Sequence, residues 1–258
     1  MRSVPLTVGA ALLSLAVGCA RKAPPAAGAN VVTITATDFA FGAPDTIPAG
    51  LTTLRLVNRG ADLHHAVLIR IPDGMSRAAV DSAMRIPGPP AAWMSFGVSP
   101  IVTLPGDSTN ATSMLEPGLY LMVCFIAGAD RVPHVAKGMT RWLEVVGPAA
   151  AAAEPQADVV ITLADYSFQL STPLTAGTHT VRVENNGAQM HEVGIERLAE
   201  GKSLADYMAW DQGGRQGPPP VAQAGGVIGP DVGKRGYFTV SLAPGKYLLT
   251  CYVPDKTD

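Results

Sequence analysis

The sequence predicts an all-β protein built as two tandem Greek-key β-sandwiches, each with one short helical insertion. Three observations predict it. First, the 258-residue chain repeats itself once, without a gap, at an offset of 127 positions. Asp38, Phe41, Asn58, Gly60-Ala61, Arg70, Pro117-Gly118 and Tyr120 return as Asp165, Phe168, Asn185, Gly187-Ala188, Arg197, Pro244-Gly245 and Tyr247. A period this long is a duplicated domain rather than a solenoid repeat. Second, each copy is made of short β-rich runs bounded by Gly, Pro and Asn. Third, helical character is confined to one brief stretch per copy, which favours a sandwich.

In chain order, residues 1–18 read as an export signal: Arg2 is the basic start, Val8–Val17 is apolar and too short to span a bilayer, and Gly18 precedes Cys19. Residues 19–30 form a Pro- and Ala-rich tether. The first domain covers 31–147, with strands expected at Val31–Thr35, Leu54–Leu56 and Leu68–Ile71. Its helix is expected at Ser76–Arg85, capped by Ser76. A linker, PAAAAAEPQA, covers 148–157. The second domain covers 158–258, with strands at Val159–Leu163, His179–Val183 and Tyr237–Leu242 and a helix after Ser203. Stretches Pro87–Ala92 and Gly213–Gly226, rich in Gly and Pro, read as surface loops.

The formal net charge is −2, and losing Arg2 with residues 1–18, which hold no acid, makes it −3. That near-neutral balance gives no basic face for nucleic acid. Of three cysteines, Cys124 and Cys251 hold equivalent positions, so a bridge between them would draw both out of separate cores.

The repeat carries chemistry. His64 and Cys124 are 60 positions apart, and so are His191 and Cys251. In the first copy the set continues to Pro133-His134 and Gly138-Met139. Singly, a buried Cys or Met is core filler and a lone His a satisfied polar residue. Together, a thiolate, two imidazoles and a weak thioether are the ligands of a blue-copper electron-transfer centre. Strand alternation sends His65 to the face opposite His64.

These residues, with Asn58 to Val67 and Tyr120 to Cys124, resemble the cupredoxin family over nearly all of both copies. The resemblance implies a type 1 copper site of His64, Cys124, His134 and Met139, with His134 nearest the surface as the electron exit. Nine residues separate Cys124 from His134, longer than in single-domain plastocyanin- and azurin-like members and closer to the first domain of copper nitrite reductases. Leu15-Ala16-Val17-Gly18-Cys19 resembles the lipobox of bacterial lipoproteins, which implies lipidation of Cys19 and a membrane-anchored, periplasmic or cell-surface protein.

In the second copy, His191 and Cys251 form an incomplete second metal site, because the offset carries His134 and Met139 past Asp258. The expectation is a fragment of a longer reading frame, ahead of a degenerate copy with an open edge. Expected partners are the membrane, through the lipid, and redox proteins. Copper delivery or storage, or a metal-free cupredoxin-like binding module, is the alternative. Only five histidines occur, too few for the extra copper cluster of an oxidase or nitrite reductase, so the expectation is no enzyme.

Overall fold

The computed structural model describes residues 28–84, 91–150 and 152–254. The expected signal segment, Cys19 and nearly all of the tether lie outside them. The first half contains β1 (Asn30–Thr37), β2 (Ala40–Gly42), β3 (Thr46–Asn58), β4 (Val67–Arg70), α1 (Arg77–Met84), β5 (Ser95–Gly97), β6 (Ser99–Pro100), β7 (Ser108–Leu115), β8 (Gly118–Val123) and β9 (Thr140–Ala150). The second half contains β10 (Val159–Ala164), β11 (Ser167–Leu170), β12 (Gly177–Asn185), β13 (Glu192–Leu198), α2 (Leu204–Gln212), β14 (Val221–Ile228), β15 (Arg235–Leu242) and β16 (Tyr247–Thr250). The protein is all-β, as its alternation predicts. In β1 and β10 every second residue is buried, the pattern of a strand with one face on the core.

Each half packs two layers face to face. In the first, Val32, Ile34, Leu54 and Leu56 of β1 and β3 meet Leu68, Tyr120, Met122, Leu143 and Val145 of β4, β8 and β9. In the second, Ile161, Val181, Val183, Phe238 and Val240 meet Val193, Ile195 and Val227. Helix α1 lays Val80 on the outer side of β4 and β8, against Ile69, Ile71, Leu121 and Val123. Ser76 Oγ accepts from Ala79 N at 3.2 Å, and Ser203 forms a full capping box with Asp206 at α2.

The two halves meet about a pseudo-two-fold axis. Strands β6 and β14 pair antiparallel with Pro100 opposite Val227, and those two are each other's repeat positions. Strands β7 and β15 join at Thr112–Tyr237. The symmetry mate of that pair is Asn110 with Thr239, where the Asn110 amide donates to Thr239 O and accepts from Thr239 N, both at 2.8 Å. Such self-matching contacts are those of an isologous interface.

Two expectations are corrected. Residues 148–157 are not a bare linker: β9 continues to Ala150, opposite Gly50, and Glu154 is pinned by Arg235 (2.8 Å) and the Tyr237 hydroxyl (2.7 Å). Residues 213–226 are not all loop, because β14 begins at Val221. Its glycines misled the reading. At Gly226 (φ 135°) a Cβ would collide with the Val193 carbonyl, and at Gly225 it would lie 3.0 Å from Val240. Glycine permits close approach beside the register shift at Ile195/Glu196.

Candidate metal centre

Four segments converge at one end of the first sandwich. His64 does not lie within a strand as the alternation suggests; it sits ahead of β4, fixed by a two-way backbone bridge to Thr103 (3.2 and 2.7 Å). The turn before it is clamped by buried Asn58, whose Nδ2 donates to Asp62 O (2.8 Å) and Thr103 O (2.9 Å) and whose Oδ1 accepts from Gly60 N (2.8 Å). Cys124 follows β8, and its N–H donates to Met139 O at 3.2 Å. The nine-residue loop returns by folding on itself: Ala127 bridges Pro133, Gly128 N donates to Val132 O (3.1 Å), and Lys137 pairs with Asp130 (2.9 Å). His134 then opens a 3-10 turn that ends on left-handed Gly138 (φ 94°).

The donor atoms of His64, Cys124 and His134 lie within 4.8 Å of one another, and all three residues are buried. Both imidazoles turn Nδ1 to the sulfur, at 3.9 Å from His64 and 3.5 Å from His134. Bonds of roughly 2.0 Å to nitrogen and 2.3 Å to sulfur, as at zinc, would hold trigonal donors about 3.7 Å apart. The observed separations bracket that value, so the site fits a first-row ion. Its soft thiolate–imidazole set, with a thioether near, selects copper. Met139 is buried in the same core as Cys124, and its N–H donates to His134 O at 2.9 Å.

The other imidazole nitrogens are held from behind. His64 Nε2 meets Asp38 Oδ1 at 2.7 Å, and the Ala61 N–H that donates to Asp38 (2.8 Å) lowers the carboxyl pKa. This carboxylate fixes which ring nitrogen faces the sulfur. A Cβ at Gly60 would lie 2.7 Å from His64 Nε2 and would also meet the Asp38 carboxylate, so a larger residue there would displace this pair. His134 Nε2 lies 3.5 Å from Asp62 Oδ2, close enough for attraction but too long for a good hydrogen bond. Burial lowers the His134 pKa, helped by His64, leaving a neutral imidazole able to bind metal. Burial raises the Cys124 thiol pKa, opposed by the N–H groups of His65 and Ile126.

The His134 side chain, like that of His64, has no exposed surface; it lies beneath the Phe39 ring at 4.7 Å, and Lys137 Nζ sits 4.3 Å from that ring.

His65 stays out of the cluster; its Nε2 accepts from Phe125 N at 2.7 Å, and burial drives its pKa down to about 3. The second half explains this residue. Glu192, at the same repeat position, accepts from Tyr252 N at 2.9 Å. Each residue holds the N–H that follows the cysteine, and a histidine and a glutamate serve equally as acceptors. Half of the site recurs: His191 Nδ1 lies 3.8 Å from Cys251 Sγ, and His191 Nε2 lies 2.8 Å from Asp165. No third histidine, cysteine or carboxylate joins them among the described residues. Both cysteines are free thiols. The role of Asp38 and Asp165 escaped the sequence reading, although their repetition signals it.

No protein-family model matches the chain, and no curated protein sequence does. Solved structures do align. A reduced auracyanin from Roseiflexus castenholzii is 22% identical, over 47% of this chain and 100% of that one, with a TM-score of 0.33. The blue copper oxidase of Nitrosomonas europaea is 15% identical over 87% of this chain and 79% of that one (TM-score 0.27). A copper-containing nitrite reductase from Thermus scotoductus is 11% identical over 86% of this chain and 57% of that one (TM-score 0.24). The expectation of no enzyme is corrected: the proteins aligned over most of the chain include oxidases and a nitrite reductase. By its repeated strands and its repeated Asp–His–Cys geometry, the chain is a duplicated, cupredoxin-like all-β protein with a cluster suited to copper.

Proposed function

We propose that the protein is an exported, lipid-anchored electron carrier with a type 1 copper site in its first half, held by His64, Cys124, His134 and Met139. The observation that carries this reading is the buried His64–Cys124–His134 triad with both Nδ1 atoms aimed at one sulfur. Copper would supply a one-electron couple. The residues supply a cage that need not rearrange: Asp38 fixes one ring, the folded loop fixes the other, and the N–H groups of His65 and Ile126 stabilise the thiolate. Apolar Leu63, Phe125 and Val132, each next to or two residues from a ligand, are exposed and would give redox partner proteins apolar contact points. Cys19 would carry the lipid, and stable anchoring needs more than one acyl chain.

The test is a visible spectrum with copper quantitation of the chain from Ala20 onward, loaded with Cu(II). Intense thiolate-to-copper absorption at one copper per chain is expected, absent in Cys124→Ala and His64→Ala but retained in His65→Ala. A colourless, copper-free protein overturns the reading and leaves a metal-free binding module.

A further inference from the structure

The two halves bury different chemistry beneath their helices. In the first, Ile69, Val80 and Val123 are wholly buried in one apolar cluster with Phe96, and Val67 packs against the same ring. One repeat later these positions read Glu196, Tyr207, Thr250, Gln223 and Gly194. A backbone that closes over hydrocarbon in one half closes over polar groups in the other, so the fold itself does not require them. Glu196 and Thr250 are 5% and 8% exposed. Glu196 Oε1 accepts from the Tyr252 hydroxyl at 3.1 Å, and Tyr252 N donates to Glu192 Oε1 at 2.9 Å. Glu196 Oε2 and Thr250 Oγ1, both shut off from solvent, make no hydrogen bond, although the hydroxyl is near enough to the carboxyl to act on its pKa. They converge where a side chain is missing. Gly194 lies opposite Thr250, and Glu196 lies opposite Gln223; a Cβ on Gly194 would stand 2.8 Å from Thr250 Oγ1 and 3.6 Å from Gln223 Oε1. Glu192 and Glu196 stand two residues to either side of this glycine on β13. Burying two carboxylates without a counter-charge is costly. Arg215, the cation whose charge reaches Glu196, is already paired with Asp211 at 2.8 Å and lies over the Tyr252 ring.

We propose that Glu192, Glu196, Thr250 and Gln223 form a site for one hard cation, of the calcium or manganese class, held above Gly194 through oxygen. Carboxylate, hydroxyl and amide oxygens are the donors such ions take. The orphaned Glu196 Oε2 and Thr250 Oγ1 carry the proposal, because buried polar atoms in a folded protein are otherwise paired. Both atoms are enclosed by the described residues themselves, so the site needs no further chain to complete it. The cation would supply the counter-charge that the two glutamates lack. Copper plays no part in this inference, since the thiolate–imidazole set of the first half favours softer ions; the two sites stand or fall separately.

The probes are calcium chloride and, separately, manganese chloride, titrated by calorimetry into the copper-free chain from Ala20 onward. Saturable binding of one ion per chain is expected for at least one of the two, with a melting temperature that rises with its concentration. Glu196→Gln should weaken binding by about tenfold or more, since ligand charge sets the affinity of such sites. Glu196→Ile combined with Thr250→Val installs the residues that the first half packs at these positions and should abolish binding; circular dichroism verifies that this variant folds. Absence of saturable binding of either ion overturns the proposal and leaves a water molecule to pair the two orphaned atoms. Binding at full strength in either variant also overturns it, because the ion then sits on exposed carboxylates elsewhere.

Discussion

Cys124 combines two demands that conflict in the free protein. Its sulfur is buried among Ala66, Met122 and Met139, and burial raises the thiol pKa above its usual value of about 9. The N–H groups of His65 and Ile126 pull the other way without prevailing. At neutral pH the empty site therefore holds a protonated thiol, while the lowered His134 pKa keeps that ring neutral. Metal must displace the thiol proton, so binding releases one proton per ion. The sign follows: raising the pH toward the thiol pKa reduces the competing proton and strengthens binding. Apparent affinity should rise about tenfold per pH unit between pH 7 and 8.5. Competition titrations in weakly coordinating buffers check this, and a flat profile would show that Cys124 is already a thiolate.

At the scale of elements, the site depends on how turns are tied to strands. Asn58 ends β3, is wholly buried, and spends both amide hydrogens and its oxygen on the turn that delivers His64. Asn185 repeats the arrangement, with Nδ2 to Gln189 O (2.8 Å) and Pro230 O (2.7 Å). Asn58→Ala leaves the Asp62 carbonyl and the Gly60 N–H without their partner and the Thr103 carbonyl with only the His64 N–H, which costs about 1–3 kcal/mol. Urea denaturation should register that loss, and the copper absorption should broaden as His64 loses its fixed position. The strands themselves were legible because burial in β1 and β10 follows a two-residue period. The ligand set was legible because chemistry and order coincide in His64, Cys124, His134 and Met139. Three features were hidden. Strand β14 carries glycines for close approach, which read as turn signals. The end of β9 carries alanines with no alternation to expose its pairing with Gly50. The burial of His134 depends on Phe39, nearly a hundred residues away, and sequence spacing cannot reveal such a cover.

The whole molecule behaves as one cooperative unit if its cores are shared, and they are. Val98 and Ala111 of the first half belong to the second half's core, packed with Phe238, Val181 and Val227. Ala111 and Phe238 are repeat positions of one another, so the pseudo-two-fold axis runs through a small residue facing a large one. Around it, the Asn110 amide pairs with the Thr239 backbone, Pro100 pairs with Val227, and Glu154 ties the connecting segment to Arg235 and Tyr237. Phe238 is buried to 1% exposure. Truncating it to alanine should cost about 3–5 kcal/mol, because the cavity sits where two sheets and both halves meet. Strand β7, which carries Ala111, also pairs along its length with β3 from Gly50 to Val57, and β3 ends in Asn58, which orients His64. Loss of the second half's core therefore reaches the first half's metal centre through continuous strands. In copper-loaded protein, calorimetric melting and bleaching of the visible absorption should coincide in the wild type, and both should fall by the same number of degrees in Phe238→Ala. If the colour outlasted the second half's unfolding, the halves would be independent modules, and the shared core would contribute nothing to the site.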